Sequence, residues 1–489
     1  MTTASLLRAK AALSRRSALH GAAVTGLATG LAAAALPRRA RGATEVDVLV
    51  VGAGLSGLFA ATMLEDAGVS VAVVEGRDRV GGRVYTLYDI PGKPEAGGEV
   101  FGAYYARCLD MATRLDLTLQ APRPRSQAGD DELMINIGGQ NIMIPEWAEH
   151  PLNPHPEDLK SKTPWQVFFG ELPKDNPMQN LDDWTDSDFA AFDIRFADYL
   201  KAKGFNEEAI RLQEVNSAYG NTVYDVSMLH IFHYFVWMQL HASGGIRTQI
   251  AGGNERLPAG MAGALKSEVR LNKPVSALVS DATGAEVIFT DGSKLRARKV
   301  ICTLPFSLLQ EIRIEPALQG RQREAVQTLP YYKTFQIHYA IEREFWKDDG
   351  LPPSMWTDSA FDRLNLLPEE DSDAPACYLA YVNGRQAARL DRLGLEGAER
   401  LVRSEIERLR PAAKGALRPL RVHSNQRDPF IGGSYAYWQP GQPLILPDPM
   451  GQPHGHIHFA GEHLARVNRG MEGAMESGER AAFEVLDSL

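Results

Sequence analysis

VLVVGAGLSGLFAATMLEDAGVSVAVVEGRDRVGGR, from Val48 to Arg83, is the stretch of this 489-residue chain that decides its fold. VLVV reads as a buried strand, and Gly52, Gly54 and Gly57 follow it directly in a GxGxxG spacing. A helix then leads to a second apolar strand that closes at Glu75. At such a junction the turn must be tight, and a pyrophosphate can approach bare backbone at the helix N-terminus. Glu75 stands where a carboxylate accepts hydrogen bonds from the ribose hydroxyls of an adenine dinucleotide. The pattern therefore predicts a dinucleotide site containing Gly52, Gly54, Ser56, Gly57 and Glu75.

EGRDRVGGR narrows the choice of dinucleotide, because a nicotinamide enzyme has no general need for a second glycine pair just after the ribose acid. Arg77 and Arg83 are placed to hold phosphate oxygens as charged forks, and Gly81 and Gly82 let the chain pass close to a cofactor. This segment resembles the flavin-containing amine oxidase family, which includes monoamine, polyamine and L-amino-acid oxidases. The resemblance implies FAD. It continues in family order through EAGGEVFG (Glu95 to Gly102, with Gly98), GGNERLPAGMAGAL (Gly252 to Leu265), LNKPVSALVSD (with Val275), ICTLPFSLL and YYKTFQIHYAIEREFW. At the C-terminus, HFAGEHLARVNRGMEGAMESGERAAFEVL puts Gly461, Glu462 and Met471 on flavin-contact positions.

The fold this implies is α/β: a Rossmann-like FAD-binding domain interleaved with an α+β substrate-binding domain. The cofactor domain is expected from 44–120, 250–325 and 440–489, and the substrate domain from 121–249 and 326–439. Within the latter, APRPRSQAGDDE and HPLNPHPEDLKSKTP read as loops, and DSDFAAFDIRFADYLKAKGF as a helix pair. FQIHYAI and CYLAYV read as strands of a sheet.

Ahead of the first strand, Ser14-Arg15-Arg16-Ser17-Ala18-Leu19 and the Ala/Gly-rich run to Leu36 read as a Tat export signal over residues 1–43. That reading predicts a periplasmic or secreted enzyme, folded around its cofactor before export and not inserted in the membrane. Residues 1–43 hold seven of the 52 Lys and Arg and none of the 61 Asp and Glu, so the remainder carries a formal charge of −16. Such a charge argues against nucleic acid as a partner. Cys108, Cys302 and Cys377 lie far apart without CxxC or metal spacing, and twelve scattered histidines show no ligand pattern, so no metal is expected. A homodimer is one assembly that the resemblance allows.

Chemically, the resemblance implies hydride transfer from a neutral amine to flavin N5, imine hydrolysis after release, and reoxidation by O2 giving H2O2. It makes Lys333 the catalytic lysine, holding a water near N5. Tyr435 takes the position of an aromatic wall, with Trp438 nearby and Gly470 where a second aromatic usually stands. Ser434 occupies the place of the cysteine of covalent-flavin members, so FAD is expected to bind non-covalently, and Asn425 replaces an expected tryptophan. Glu99 stands where L-amino-acid oxidases commonly carry an arginine for the substrate carboxylate, which favours an amine, although Arg247 or Arg427 could supply such a cation. Arg107 falls on a position of structural role. An L-amino-acid oxidase, an amine dehydrogenase passing electrons to a cytochrome, and a non-catalytic flavoprotein subunit are the alternative readings.

Overall fold

Val46–Val51 forms the first strand (β1) of the computed structural model, which describes residues 46–122, 132–216, 219–243 and 247–489. The residues from Val48 to Val51 are shut away from solvent, as a strand covered on both faces requires. β1 runs into helix α1 (Leu55–Asp66), which returns the chain to β2 (Val71–Val74), parallel to β1 with Val50 opposite Val73. α1 is buried on most of its surface, because the sheet lies on one side and the C-terminal helix Gly470–Ser488 on another. The two helices meet so closely that a Cβ on Gly478 would fall 2.3 Å from the Ser56 carbonyl oxygen.

Strands from widely separated parts of the chain complete this sheet. Lys294–Cys302 lies parallel to β1 with Val50 opposite Ile301, and Gly284–Phe289, Val275–Asp281 and Arg313–Glu315 continue from it. Val269–Arg270 extends the other side, and Ile457–Phe459 also pairs with Lys294–Cys302. The parallel strands end along one edge, where Gly52, Glu75 and Thr303 emerge together; ligands of open α/β sheets bind at such an edge.

A second sheet has seven strands, in the order Leu417–Ser424, Thr334–Ile341, Pro375–Asn383, Arg363–Pro368, Ser354–Thr357, Leu133–Ile137 and Gln140–Met143. FQIHYAI and CYLAYV lie in two neighbouring strands of it, antiparallel with Ile337 opposite Ala380. Phe335, Ile337 and Tyr339 share one face, packed into a cluster with Val402 and Ile406 of the helix Gly394–Leu409. Alternation along the strand assigns Thr334 and Gln336 to the other face.

The expected helix pair at 186–205 is instead a 3-10 helix, Ser187–Phe192, followed by an α-helix, Phe196–Ala202. Asp186 accepts the Asp188 N–H at 2.9 Å, and Phe189 and Phe192, three residues apart, eclipse on one side of a three-residue turn. HPLNPHPEDLKSKTP is irregular apart from a 3-10 turn at Glu157–Leu159 and the start of a short helix. The leader at 1–43 and residues 123–131 lie outside the described residues. No helix among the described residues is long and apolar enough to cross a membrane.

Candidate active site

A cleft of about 590 Å³ opens where the parallel strands end. Its floor is the glycine turn, and each glycine there has a separate physical reason. Gly52 has φ +104°, and a Cβ on it would sit 2.3 Å from Thr303 Oγ1; a Cβ on Gly57 would sit 2.0 Å from the Gly52 carbonyl oxygen. Gly54 has nothing within 4 Å of the corresponding point, although it faces the cleft. That open space is bounded by Gly54, Leu55, Ser56 and Gly82, at the end of a helix that no side chain caps. Unsatisfied N–H groups at such an end favour an anion such as pyrophosphate.

Glu75 lies at the end of β2, where its carboxylate accepts the N–H groups of Ala53 (2.8 Å) and Arg77 (2.9 Å). Val275 lines the same end of the cleft. Arg77 and Arg83 also line it, but both cations are already engaged with carboxylates. Arg77 pairs with Asp428 and lies over the Phe430 ring, while Arg83 Nη1 donates to Glu462 (2.8 Å) and to the Ser434 carbonyl (2.8 Å). Their expected role on phosphate oxygens is thus at most shared, and the visible role of Arg83 is to tie the 434 and 462 segments together.

At the opposite end the cleft is lined by Gly98, Glu99, Ser434, Tyr435, Gly461, Glu462, Gly470 and Met471. Gly98, at φ +74°, leaves little room for a side chain: a Cβ there would sit 3.0 Å from Val84 Cγ2 and 3.1 Å from Met471 Sδ. The Glu99 carbonyl accepts from Asn254 (2.8 Å) and Gln249 (2.7 Å), which fixes the turn that presents its carboxylate side. Ser434 Oγ is held by Thr334 Oγ1 (2.6 Å) and by Asn425 Nδ2 (2.7 Å), so Asn425 braces this wall from behind. Cys108, Cys302 and Cys377 are all buried, and none of them lines the cleft. Arg107 binds Glu472 and Glu479 on the last helix, the structural role expected of it.

Beyond Tyr435 a smaller chamber, about 140 Å³, shares Tyr105, Tyr219, Tyr435, Glu462 and Gly470 with the cleft. Tyr435 stacks on Tyr332, with centroids 4.9 Å apart, and lies 6.0 Å from Tyr219; Tyr219 in turn stacks on Tyr234 at 3.6 Å. Trp438 lines only the chamber, tilted against Trp184 at 5.0 Å. His230 and His233 both line this chamber. Burial and the nearby Arg469 guanidinium push His233 down to about 3 and hold His230 well below the ordinary range, so both rings are neutral. The sequence does carry a signal for this wall: His230, His233, Tyr234 and Trp237 recur at i, i+3, i+4 and i+7 of the helix Met228–Ser243. For Arg469 it carries none.

Lys333 is not brought to the site. It immediately precedes the strand Thr334–Ile341 and shares the parity of Phe335, Ile337 and Tyr339, the face packed under helices. Its N–H donates to Asn221 Oδ1 at 3.0 Å and its carbonyl accepts from Gly384, and both partners line a separate cavity. Thr334, Gln336 and His338 share the opposite parity, and Gln336 is buried with Nε2 donating to the Ala96 carbonyl at 3.0 Å beside the Gly97-Gly98 turn. Lys333 therefore loses the flavin-side role expected of it.

A glycine-floored dinucleotide cleft ending in a box of tyrosines is matched at family level. Residues 55–486 match the model of the family described as flavin containing amine oxidoreductase. The chain belongs to that family. FAD is the cofactor of this amine oxidoreductase. It is 28% identical over 487 residues to amine oxidase [flavin-containing] B of Cavia porcellus, covering 91% of this chain and 87% of that protein. The flavin-containing amine oxidase of Danio rerio is 25% identical over 484 residues, with the same shares covered. Among solved structures, putrescine oxidase bound to putrescine aligns with a TM-score of 0.72 at 22% identity, over 91% of this chain and 100% of that one. Cyclohexylamine oxidase from Brevibacterium oxydans aligns with a TM-score of 0.72 at 23% identity, over 91% and 99%. These likenesses agree with the two-sheet α/β architecture.

Proposed function

We propose that this oxidoreductase removes a hydride from the carbon beside a substrate nitrogen, giving an imine that water hydrolyses to a carbonyl compound. FAD, when bound, supplies the two-electron acceptor for that C–H bond. The observation that carries the reading is that the two cavities adjoin, with Tyr105, Tyr219, Tyr435, Glu462 and Gly470 lining both. Glu75 lines the cleft but not the tyrosine-walled chamber, so the chamber lies against the part of the cleft away from the ribose carboxylate.

The protein's own part is binding and orientation. Gly54 and the uncapped end of α1 receive the pyrophosphate, Glu75 the ribose, and the Arg83–Glu462 pair clamps the 434 and 462 segments over the far end. Tyr435, fixed between Tyr332 and Tyr219, presents apolar ring to the substrate and excludes water from the reacting carbon. Ser434 stands on the wall without a cysteine, in keeping with non-covalent FAD. We assign the first-sheet layer to the cofactor and the second to the substrate side, and export to the twin-arginine pattern at 14–19. The relatives are named oxidases, which supports O2 as the electron acceptor.

The test is anaerobic mixing of the purified holoenzyme with panels of amines and of amino acids, followed through the flavin absorbance, and then admission of air. Bleaching by at least one amine and recovery in air within seconds are expected. Bleaching with recovery only when cytochrome c is added would replace oxidase by dehydrogenase, and no bleaching by any compound would reject the reading.

A further inference from the structure

Resting on the amine-oxidation reading, the inference concerns what else the substrate carries. The smaller chamber contains a guanidinium, that of Arg469. Its Nη2 donates to His230 Nε2 at 3.1 Å, and its Cζ lies over the rings of Tyr219 (5.4 Å) and Tyr234 (5.7 Å). All three partners are neutral. Burial, with the guanidinium beside it, holds His230 well below the ordinary imidazole range, and burial holds both phenols protonated. No described carboxylate forms an ion pair with Arg469. Glu462, the acid among the described residues lining this chamber, is occupied by Arg83 and the Ala436 N–H (2.9 Å).

A half-buried cation against rings and a neutral imidazole gives up part of its hydration without gaining a counter-charge, and it presents donors that match a carboxylate in geometry and sign. Other arginines show the contrast: Arg77 and Arg83, which line the cleft, and Arg79 and Arg107, which do not, each have a carboxylate partner. Glu99, the argument against a carboxylate-bearing substrate, lines the cofactor cleft but not this chamber.

We propose that Arg469 binds a carboxylate on the substrate, so that this enzyme acts on amines that also carry a carboxylate, amino acids among them. His230 is a positioning residue that holds the guanidinium in the chamber. The ring faces of Tyr219 and Tyr234 fix its plane.

The experiment titrates the holoenzyme with phenylacetate and with phenylacetamide, which cannot be oxidised by this chemistry, and reads Kd from perturbation of the flavin spectrum. Phenylacetate is expected to bind about tenfold tighter than its neutral isostere, as a charge-assisted contact gives. Arg469→Met should reduce that ratio to about one, and Arg469→Lys, which keeps charge but not the fork, should leave it in between. FAD content and melting curves establish that each variant is folded, and the lysine variant alone suffices if the methionine variant is not. Equal binding of the two probes by the native enzyme, or a ratio unchanged in the variants, overturns the assignment. Anaerobic bleaching by phenylethylamine and by phenylalanine separates the two levels. Bleaching by the amine with no carboxylate preference keeps amine oxidation and rejects Arg469. A carboxylate preference with no bleaching by these two or by any member of the amine and amino-acid panels keeps Arg469 and rejects amine oxidation.

Discussion

Gly54 and Gly57 stand three residues apart in one turn, yet replacing each by alanine should have opposite consequences. At Gly57 the added Cβ would lie 2.0 Å from the Gly52 carbonyl oxygen and 3.1 Å from Val50 Cγ1, so the strand-to-helix junction must open by about an ångström. Overpacking of that kind costs about 1–3 kcal/mol. At Gly54 the backbone is extended (φ −80°, ψ 177°) and no protein atom lies within 4 Å of the new methyl. The stiffer unfolded chain gains about 0.4–1 kcal/mol, and the poorer N-cap loses a similar amount, so the apoprotein should keep its stability to within about 1 kcal/mol. The methyl instead fills space reserved for the pyrophosphate, and overpacking there of about 1–3 kcal/mol weakens FAD binding by about 5- to 150-fold. Urea unfolding of FAD-stripped protein and titration of FAD into it read the two quantities separately. The reasoning is refuted if Gly54→Ala unfolds at markedly lower urea than the native apoprotein, or if it binds FAD as tightly.

Further expectations follow from the rest of the site. Lys333→Met should leave flavin reduction and reoxidation rates within about twofold in stopped-flow traces, since Lys333 lines neither the cleft nor the chamber; a tenfold loss would restore it to the site. Tyr435→Leu should keep FAD bound while lowering kcat/KM about 10- to 100-fold, the cost of losing substrate orientation beside the cofactor. Glu472→Gln should cost about 1–3 kcal/mol in denaturant unfolding, because Glu472 is fully buried and accepts from Arg107 Nη1 and from the N–H groups of Arg107 and Cys108, while Arg107 keeps Glu479. Burial pushes the Asp362 carboxyl up to about 7 from an ordinary 3.8. The folded chain therefore holds a proton that the unfolded chain releases, and stability falls as pH rises between those values. Asp362→Asn should then raise the Tm at pH 8 and change it little at pH 4, as paired melting curves would show.

The parts of this molecule that were legible in advance are those whose cause is local. A GxGxxG turn between two apolar strands leaves few backbone alternatives, and the structure makes Gly52, Gly54 and Gly57 a clash, a space and a second clash. FQIHYAI and CYLAYV became neighbouring strands because β-branched and aromatic runs of that length suit a pleated, half-covered sheet. What was misread is relational. Lys333 looked right for its surroundings, but one residue of parity decides which face a side chain meets, and the alternation of Phe335, Ile337 and Tyr339 with Thr334 and Gln336 carried that information. The ion pairs of Arg77 and Arg83 went unseen because their carboxylates, Asp428 and Glu462, arrive from more than three hundred residues away. Arg469 had no local pattern at all: its meaning comes from rings on the 219 segment and the helix Met228–Ser243 folding over it.

The central claim is that the tyrosine-walled chamber delivers the carbon beside an amine nitrogen to the bound flavin. A single anaerobic turnover tests it most directly, with the holoenzyme mixed with excess of the amine or amino acid that bleaches it fastest and the quenched products counted against flavin. The account predicts one carbonyl product and one ammonia or amine released per flavin reduced, with Tyr435→Leu slowing the bleaching phase and not the stoichiometry. Flavin that stays oxidised before every amine and amino acid, or bleaches without releasing a carbonyl product, would contradict it.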